Sequence, residues 1–454
     1  MLRINPEQLQ TVDLKAVLQH LIEKHNIMHI SKLQSYYEGQ HDILHRRMAD
    51  KTKPNNKLVN NLAAYITDTL TGYFMGKPVS YTVDESKGAD DYLETLRDIC
   101  EYNDEQDHNA ELAKSQSVTG RAFELLYLDE EARVRFAELP PANVIYVLTD
   151  DVAADPALAV RIYEIDDILG GKRQYYDVYT DSEIITFEMT TEGQVKSLVE
   201  RARVEHYFQA MPVVAYENNK ELVGDFEGVL TLIDAYNTAQ SDTLNDFEYF
   251  TDAYLTLTGA SMDDQTVAKM KENRVITLPD KECSAAFLIK NINDVAVENF
   301  KNRLRRDIHA LSKTPNLTDE QFGGQLSGVA IAYKLWGMEQ IAAMKERKFK
   351  RGLQRRLELI TNILNTQGKQ WDWRDINITF SRNMPQNLTE IAQMVGNLKG
   401  IVSEETLLSL LPFVEDVQAE LERMEAQNAG MVNLDEEEET KEGGSEEMTA
   451  GDDE

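Results

Sequence analysis

Cysteine, long apolar runs and net positive charge are all scarce in this sequence. Among 454 residues only Cys100 and Cys283 are cysteines, and they lie far apart, without the spacing of a metal site. We predict two free thiols in a reducing compartment, which excludes the disulfide-rich folds of small secreted proteins. No apolar run approaches the roughly 18 residues of a membrane span, and residues 1–6 lack a signal-peptide core. We therefore expect no membrane segment and assembly in the cytosol.

The charge balance is strongly acidic, with a formal net charge of −32. A conventional DNA-binding protein presents a basic face to phosphate, so this composition argues against that class. Part of the charge is local, because residues 435–454 contain eleven acids and one lysine, a net of −10. So acidic a segment, poor in apolar residues, predicts a disordered tail over residues 431–454.

Motifs for catalysis are also lacking. Segment 72–78 (GYFMGKP) has one residue too few between its glycines for a phosphate loop, and a proline stands where Ser or Thr would hold magnesium. His25 with His29, and His41 with His45, have i, i+4 spacing but lack the glutamate that zinc-dependent hydrolysis needs. We predict no catalytic residue, no metal site and no cofactor.

The most informative stretch, residues 294–367, predicts a helix, a loop and a very long helix. Over residues 294–312 an apolar stripe recurs at steps of three and four: Val297, Phe300, Leu304, Ile308 and Leu311. Pro315 disfavours helical geometry at the residue before it, and two glycines at 323–324 predict irregular backbone. Ser327 can then cap a helix of about 40 residues, on the order of 60 Å long, ending near Gln367.

The two halves of that long helix have different apolar patterns. Its near half carries bulky residues that we expect to be buried: Ala330, Tyr333, Trp336, Ile341 and Met344. Its distal half has a regular apolar stripe: Leu353, Leu357, Ile360 and Leu364.

The rest of the chain predicts an α+β, mainly helical protein. Helical patterns cover residues 5–25, 62–76, 90–119, 225–250, 262–272, 388–398, 403–411 and 414–426. Strands are predicted at 122–128, 134–138, 143–148, 160–165, 174–180 and 183–189, which we expect to form one mixed antiparallel sheet, and at 253–258, 275–278, 285–290 and 377–381.

The helix predicted from Asp225, which is placed to cap it, has a polar face. Asp234, Asn237, Ser241 and Asn245 share this face. Two interpretations remain open: an ordinary solvated face, or a face that lines a channel or contacts another subunit.

Separated motifs carry a resemblance to a known family. They are YYEGQHDIL at 36–44, KPNNKLVNN at 53–61 with GYFMGKP at 72–78, and FGGQLSGVA at 322–330 followed by YKL at 333–335 and MKERKF at 344–349. In these motifs the chain resembles bacteriophage portal proteins of long-tailed phages of Gram-positive hosts, the siphophage sub-family. Where much of that sub-family has Asn, this chain has Gln325.

The resemblance implies a portal-type subunit with wing, stem, clip and crown. The implied division is 1–224 wing, 225–250 first stem helix, 251–293 clip, 294–312 second stem helix, 313–327 channel loop, 328–367 long helix, 368–430 crown and 431–454 acidic tail. It also implies a ring-shaped homo-oligomer, typically a dodecamer, in the virion at the capsid vertex, assembled in the host cytoplasm. Double-stranded DNA would pass through the ring during packaging and ejection without being read.

The resemblance further implies partners and contact residues. The partners would be the terminase large subunit, a head-completion or adaptor protein, and capsid and scaffold proteins. The loop residues implied to lie near DNA are Asn316, Thr318, Asp319, Glu320, Gln321, Phe322, Gly323, Gly324 and Gln325. The exposed charges implied to contact a partner at the clip are Asp263, Asp264, Lys269, Lys271 and Glu272.

A basic run interrupts the acidic body at residues 345–356. Its cations are Lys345, Arg347, Lys348, Lys350, Arg351, Arg355 and Arg356. Pairing with carboxylates of a neighbouring subunit and direct contact with DNA are the two interpretations, and both also apply to Lys301, Arg303, Arg305 and Arg306.

Two other classes of function are kept as alternatives. One is a structural protein of the head–tail junction, an adaptor or scaffold, that forms no open ring. The other is a DNA-processing enzyme, against which the missing nucleotide and metal motifs count.

Overall fold

A computed structural model describes residues 2–5, 7, 11–51, 53–83, 89–166, 171–192, 195–251, 254–259, 282–288, 294–318, 328–383 and 388–411, with single positions within 263–280 and 413–427. None of the helices in these ranges is both long and apolar enough to cross a membrane. The chain divides into two compact units, Met1–Gly324 with Tyr333–Asn383, and Gln325–Ala332 with Met384–Glu454.

The α-helices follow one another along the whole described chain. They are α1 (Leu14–Lys24), α2 (Ile27–Tyr37), α3 (Leu62–Met75), α4 (Asp90–Tyr102), α5 (Glu105–Thr119), α6 (Leu230–Thr251), α7 (Asp294–Ser312), α8 (Gly328–Thr366), α9 (Leu388–Leu398) and α10 (Glu404–Ser409). Short 3₁₀ turns lie at Asp42–His45, Pro141–Asn143, Glu227–Val229 and Trp373–Asp375.

The strands concentrate between residues 121 and 217. They are β1 (Leu2–Ile4), β2 (Ser80–Val83), β3 (Arg121–Leu128), β4 (Val134–Leu139), β5 (Val144–Thr149), β6 (Pro156–Asp166), β7 (Lys172–Tyr179), β8 (Glu183–Glu192), β9 (Val195–Glu205), β10 (Val213–Glu217), β11 (Tyr254–Thr258), β12 (Ser284–Leu288) and β13 (Ile376–Thr379).

Helix predictions hold best where the pattern is long. The bounds of α7 and α9 are confirmed, and α8 has 39 residues and ends one residue earlier than predicted. The predicted helix 5–25 is interrupted: Glu7 and Thr11 are helical and Asn5 accepts a hydrogen bond from the N–H of Glu7, but Val12 and Asp13 are not helical and α1 begins at Leu14, where Asp13 accepts from the N–H of Lys15. The pattern at 90–119 is two helices, since Asp104 adopts a left-handed φ of 48° between them.

Two sheets replace the single sheet that we predicted. The larger has the order β1-β5-β6-β7-β8-β9, with β1 parallel to β5 and the other neighbours antiparallel. It packs against Val17, Leu18 and Leu21 of α1. The smaller has the order β10-β3-β4. The unpredicted strands are β1, β2, β9 and β10; β9 was missed because its many charged residues obscure the period-2 pattern.

The distal half of α8 lies in the main core. Its apolar stripe packs with α4, α5 and the smaller sheet, and the shared core includes Tyr92, Leu112, Leu126, Tyr216, Phe349, Leu353, Leu357 and Ile360. The predicted distal stripe is confirmed, because Leu353 and Ile360 are fully buried.

The prediction for the near half of α8 is wrong. Tyr333, Trp336 and Met344 are 78%, 62% and 50% exposed, while Leu335, Met338 and Ala342 are the buried residues. Apolar side chains occur on both faces of this half, so periodicity could not choose the buried one.

Helix α6 packs its polar face on an extended segment of its own chain. The N–H groups of Asn56, Leu58 and Asn60 donate to Asn245 Oδ1 at 2.8 Å, Ser241 Oγ at 2.9 Å and Asn237 Oδ1 at 2.8 Å. Four residues of helix rise about 6 Å and two residues of extended chain span about 6.6 Å. Every fourth residue of α6 therefore lies opposite every second residue of the extended segment over this length. For Asn237 and Ser241 neither interpretation is right, because residues of the same chain cover them completely, whereas Asp234 and Asn245 are half-buried.

Asp225 does not cap α6 as predicted. A 3₁₀ turn lies between them, and the Asp225 carboxylate instead accepts hydrogen bonds from Ser117, Asn218 and Lys345. These contacts tie α8 and α5 to Asp225, two residues before the 3₁₀ turn Glu227–Val229.

Strands β11 and β12 form an antiparallel pair between α6 and α7, with Tyr254 opposite Leu288. The predicted strands at 253–258 and 285–290 are thereby confirmed with small shifts, whereas the one at 275–278 lies outside the described residues. In the second unit, Ser403 caps α10 by accepting from the N–H of Thr406, and Leu407 is buried.

Candidate functional site

Helix α7 separates a buried stripe from a basic surface. It packs along α6 through Leu304 and Ile308, which are 7% and 0% exposed. Phe300 and Leu311, predicted for the same stripe, are more than half exposed, which corrects that part of the prediction. On the solvent side the helix presents Asn302, Arg303, Arg305 and Arg306.

The end of α7 is shaped by its last turn. Lys313 adopts a left-handed φ of 55°, which ends the helix after Ser312, as predicted. The ring of His309 then contacts the carbonyl oxygen of the buried Thr314 through Nδ1 at 3.0 Å. That geometry requires the proton on Nδ1, because a carbonyl can only accept.

A tyrosine from a distant helix anchors the chain that follows. The hydroxyl of Tyr65 in α3 donates to the carbonyl of Pro315 at 3.0 Å and accepts from the N–H of Leu317 at 2.9 Å. The Tyr65 ring also packs edge-to-face on His309, with centroids 5.5 Å apart. We call Tyr65, His309 and residues 313–318 the loop root. No local motif pointed to Tyr65, because its partners lie 250 residues away.

Within the loop root, Thr318 is held by Asn316 and by Arg305 of α7. The Arg305 guanidinium contacts Thr318 Oγ1 at 3.2 Å, and Asn316 Oδ1 accepts from the Thr318 hydroxyl at 2.8 Å. The pKa of His309 is lowered, chiefly by burial and further by the nearby Arg305 charge, so at neutral pH the ring carries no charge.

A basic groove of about 1070 Å³ opens between α7 and the loop root. Arg303, Arg305 and Arg306 line it together with Asn299 and Asn302, and no carboxylate does so among the described residues. In a protein with a net charge of −32, such a groove is a local reversal of sign. It could hold phosphate groups by charge and amide hydrogen bonds without reading a base sequence.

The basic run of α8 finds partners within its own chain. Lys345 pairs with Asp225, Lys348 with Glu217 and Arg355 with Glu358, and Lys350 donates to the carbonyl of Ile378. Lys345 and Arg356 are 1% and 2% exposed, so both proposed roles, contact with DNA and pairing with a neighbour, are wrong for these two. Arg347 and Arg351 are exposed and have no ion-pair partner among the described residues.

Arg356 is the centre of a buried polar cluster. Its guanidinium lies 3.0 Å from Glu105 Oε1 and 2.8 Å from both Glu124 Oε1 and Asn109 Oδ1. Tyr81 donates to Glu105 and Tyr216 donates to Glu124. We call Arg356, Glu105, Glu124, Asn109 and His108, which contacts Glu124 at 2.8 Å, the Arg356 cluster.

Neighbouring positive charges determine the pKa of the Glu124 carboxyl in this cluster. Burial alone would raise the pKa of Glu124, but the adjacent Arg356 and His108 hold that pKa at about 2. The cluster joins α8, α5 and β3 and is a structural element rather than a site open to a ligand.

Comparison with known families decides the identity. The sequence model described as phage portal protein, SPP1 Gp6-like, matches residues 19–433. The chain belongs to this portal family. The portal protein of Bacillus phage SPP1 is 26% identical over 436 residues, covering 90% of this chain and 85% of that protein. The portal protein of Clostridium phage phiCD119 is 22% identical over 415 residues, covering 86% and 90%.

Two solved structures show a weaker similarity to this portal-family chain. One is described as the neck of an empty gene transfer agent (GTA) particle computed with C6 symmetry, with a TM-score of 0.46, 11% identity and coverage of 78% of this chain and 90% of that one. The other is a virion of a native GTA particle, with a TM-score of 0.46, 11% identity and coverage of 85% and 93%. These scores are too low to support an argument.

Only some residues predicted for portal contacts can be placed. Asn316 and Thr318 lie in the loop root, while 319–325 lie outside the described residues. At the predicted clip, Asp263 and Glu272 are exposed, and Asp264, Lys269 and Lys271 lie outside the described residues. Sequence reasoning missed Tyr65 and the internal partners of α8.

Proposed function

We propose that the protein is one subunit of a ring-shaped portal through which phage DNA is packaged and ejected. The observation that carries this proposal is the family match across residues 19–433. As a portal-family protein it is a virion component, and we place the ring at the capsid vertex, with assembly in the host cytoplasm. A dodecamer is the ring size that we adopt.

The order of elements supports a division into portal regions. We assign residues 1–224 to the wing, α6 and α7 to the stem, 251–293 to the clip and 313–327 to the channel loop. The crown begins, in this proposal, at Met384 rather than at residue 368. The reason is that β13 pairs with β2 of the wing, and the second compact unit starts at Met384.

The basic groove at the loop root is the part that we propose to face DNA. Arg303 and Arg306 on the exposed side of α7 supply positive charge, and the amides of Asn299 and Asn302 supply hydrogen bonds. Contacts of this kind are independent of base sequence, which suits a duplex that must slide. The acidic loop residues Asp319 and Glu320 would keep phosphates from remaining bound.

We propose that the clip contacts the terminase large subunit and later a head-completion or adaptor protein. The exposed Asp263 and Glu272 support this, together with the sequence charges Asp264, Lys269 and Lys271. Capsid and scaffold proteins are the proposed partners of the wing.

The native mass of the purified protein tests the ring. Twelve chains of 51.7 kDa have a mass of about 620 kDa, and negative-stain images should show a central hole. A monomer that stays monomeric on co-expression with capsid and scaffold proteins would favour the adaptor alternative. ATPase or nuclease activity of the pure protein would favour the enzyme.

A further inference from the structure

A second cationic surface shares no lining residue with the groove at the loop root. It is a cleft of about 610 Å³ between the distal half of α8, strands β5 and β10, and the turn before β6. Its floor is apolar, with Tyr146 and Val214 almost fully buried. The volume is that of a ligand-binding cleft and far too small for a DNA duplex.

The rim of this cleft carries excess positive charge. Lys348 and Arg355 are neutralised by Glu217 and Glu358, which also line the cleft. The remaining lining cations are Arg3, Lys220 and Arg351; all three are exposed and none has an ion-pair partner among the described residues. Asp155 is the remaining acid of the lining, so the lining residues carry a net charge of +2. Beside the lining, the pKa of the Asp151 carboxyl is lowered mainly by hydrogen bonds and further by the charge of Arg3.

The same chain contains an anionic segment whose charge is opposite to that of the cleft lining. The last described position is Gln427, and the chain continues for 27 residues to Glu454. Residues 435–439 are five consecutive acids (DEEEE), preceded by Leu434 and Val432. Carboxylates on the rim and small apolar side chains on the floor would match both parts of the cleft.

We propose that this cleft binds the acidic terminal segment, residues 432–454, of a second copy of the chain. The proposal rests on the proposed ring in one respect: a ring tethers each copy's segment beside its neighbour. Tethering gives an effective concentration in the millimolar range, at which weak charge pairs are occupied. The terminal segment of one subunit then reaches the cleft of its neighbour and links the two subunits.

Peptide binding in trans tests the proposal directly. The receptor is the full-length chain in which every Asp and Glu of 435–454 is replaced by Asn or Gln, so that its own segment cannot compete. The ligand is a fluorescent peptide of native residues 432–454, followed by anisotropy. We expect saturable binding that weakens as salt rises from about 0.05 to 0.5 M. The double variant Arg351→Glu with Lys220→Glu should bind about tenfold more weakly or worse.

A matched control separates the cleft from general attraction. Arg347 is exposed on the same helix but does not line the cleft, so Arg347→Glu should leave binding unchanged. The proposal is overturned by absence of binding, by equal losses with Arg347→Glu and Arg351→Glu, or by equal binding of the neutralised peptide. Displacement of the peptide by duplex DNA at equal phosphate and carboxylate concentration would make nucleic acid the ligand and also overturn it.

Two further measurements fix the source of the segment and the role of the ring. If the dilute wild-type monomer does not bind the peptide while the neutralised chain does, the chain's own segment occupies the cleft. That outcome excludes the segment of a second copy as the occupant. Native mass is measured on the same variants. Normal rings without peptide binding refute the cleft assignment alone, and peptide binding without rings refutes the proposed ring alone.

Discussion

Replacing Arg356 by methionine tests whether the Arg356 cluster is held together by charge. Methionine keeps much of the length and the apolar contacts with Phe136 and Tyr216, over whose rings the guanidinium lies. It removes the partner of Glu105 and Glu124, which are 4% and 0% exposed at their side chains. Two buried carboxylates would then share only neutral donors and His108.

The size of the loss follows from two independent arguments. Removing one partner of a buried ion pair costs about 3–5 kcal/mol, because the other charge stays buried. Separately, the pKa of Glu124 is about 2 against an ordinary value of 4.5, which corresponds to about 3 kcal/mol of stabilisation at neutral pH. We therefore expect Arg356→Met to lower the free energy of unfolding at pH 7 by about 3–5 kcal/mol.

Urea unfolding followed by tryptophan fluorescence measures this change, since Trp371 stacks on the core residue Tyr92. Arg355→Met is the matched control: its pair with Glu358 is partly exposed, and it should cost about 1 kcal/mol or less. Adding Glu105→Gln and Glu124→Gln to Arg356→Met should recover part of the loss. A loss no larger than that of the control would refute a charge-compensated cluster.

The pH dependence has a definite sign. In the wild type the depressed pKa of Glu124 means that its stabilisation is complete above about pH 4.5 and is lost as pH falls toward 2. In Arg356→Met burial is no longer offset by the arginine, so the pKa of this carboxyl rises and protonation favours the folded state. The stability gap between the two proteins should therefore narrow from pH 7 to pH 4, and a constant gap would contradict the assignment.

Three further predictions concern other parts of the structure. Tyr65→Phe removes both hydrogen bonds to the loop root and should weaken the attachment of the loop root by about 1–3 kcal/mol. The loss should appear as faster amide exchange at Leu317 while the mass of the ring is unchanged. Unchanged exchange would contradict the anchoring role of Tyr65. Gly352→Ala places a methyl group 2.4 Å from the Tyr216 ring and should cost about 1–3 kcal/mol in urea, unlike Gly396→Ala, which has open space. Asn237→Leu leaves the N–H of Asn60 without its acceptor and should cost about 1–3 kcal/mol, a loss that Thr238→Val should not match.

Local pattern was sufficient for long elements whose apolar stripe faces one partner. The bounds of α7 follow from its three-and-four spacing and from Pro315, and the length of α8 follows from the absence of proline over 328–366. Strands β1 and β9 were not predicted, because a three-residue strand or a charge-rich one shows too little alternation of apolar and polar residues.

By itself, the sequence determined the helix–loop–helix framework, the acidic balance and, through separated motifs, membership of the portal family. Only the tertiary structure decided what covers each face. Asn237 accepts a hydrogen bond from the backbone N–H of Asn60, and Arg356 pairs with two glutamates more than 230 residues away. Tyr65 donates a hydrogen bond to the loop root 250 residues later in the sequence. Periodicity assigns a residue to one side of a helix, but the dielectric environment and the hydrogen-bond partners on that side come from chain segments that no local window contains.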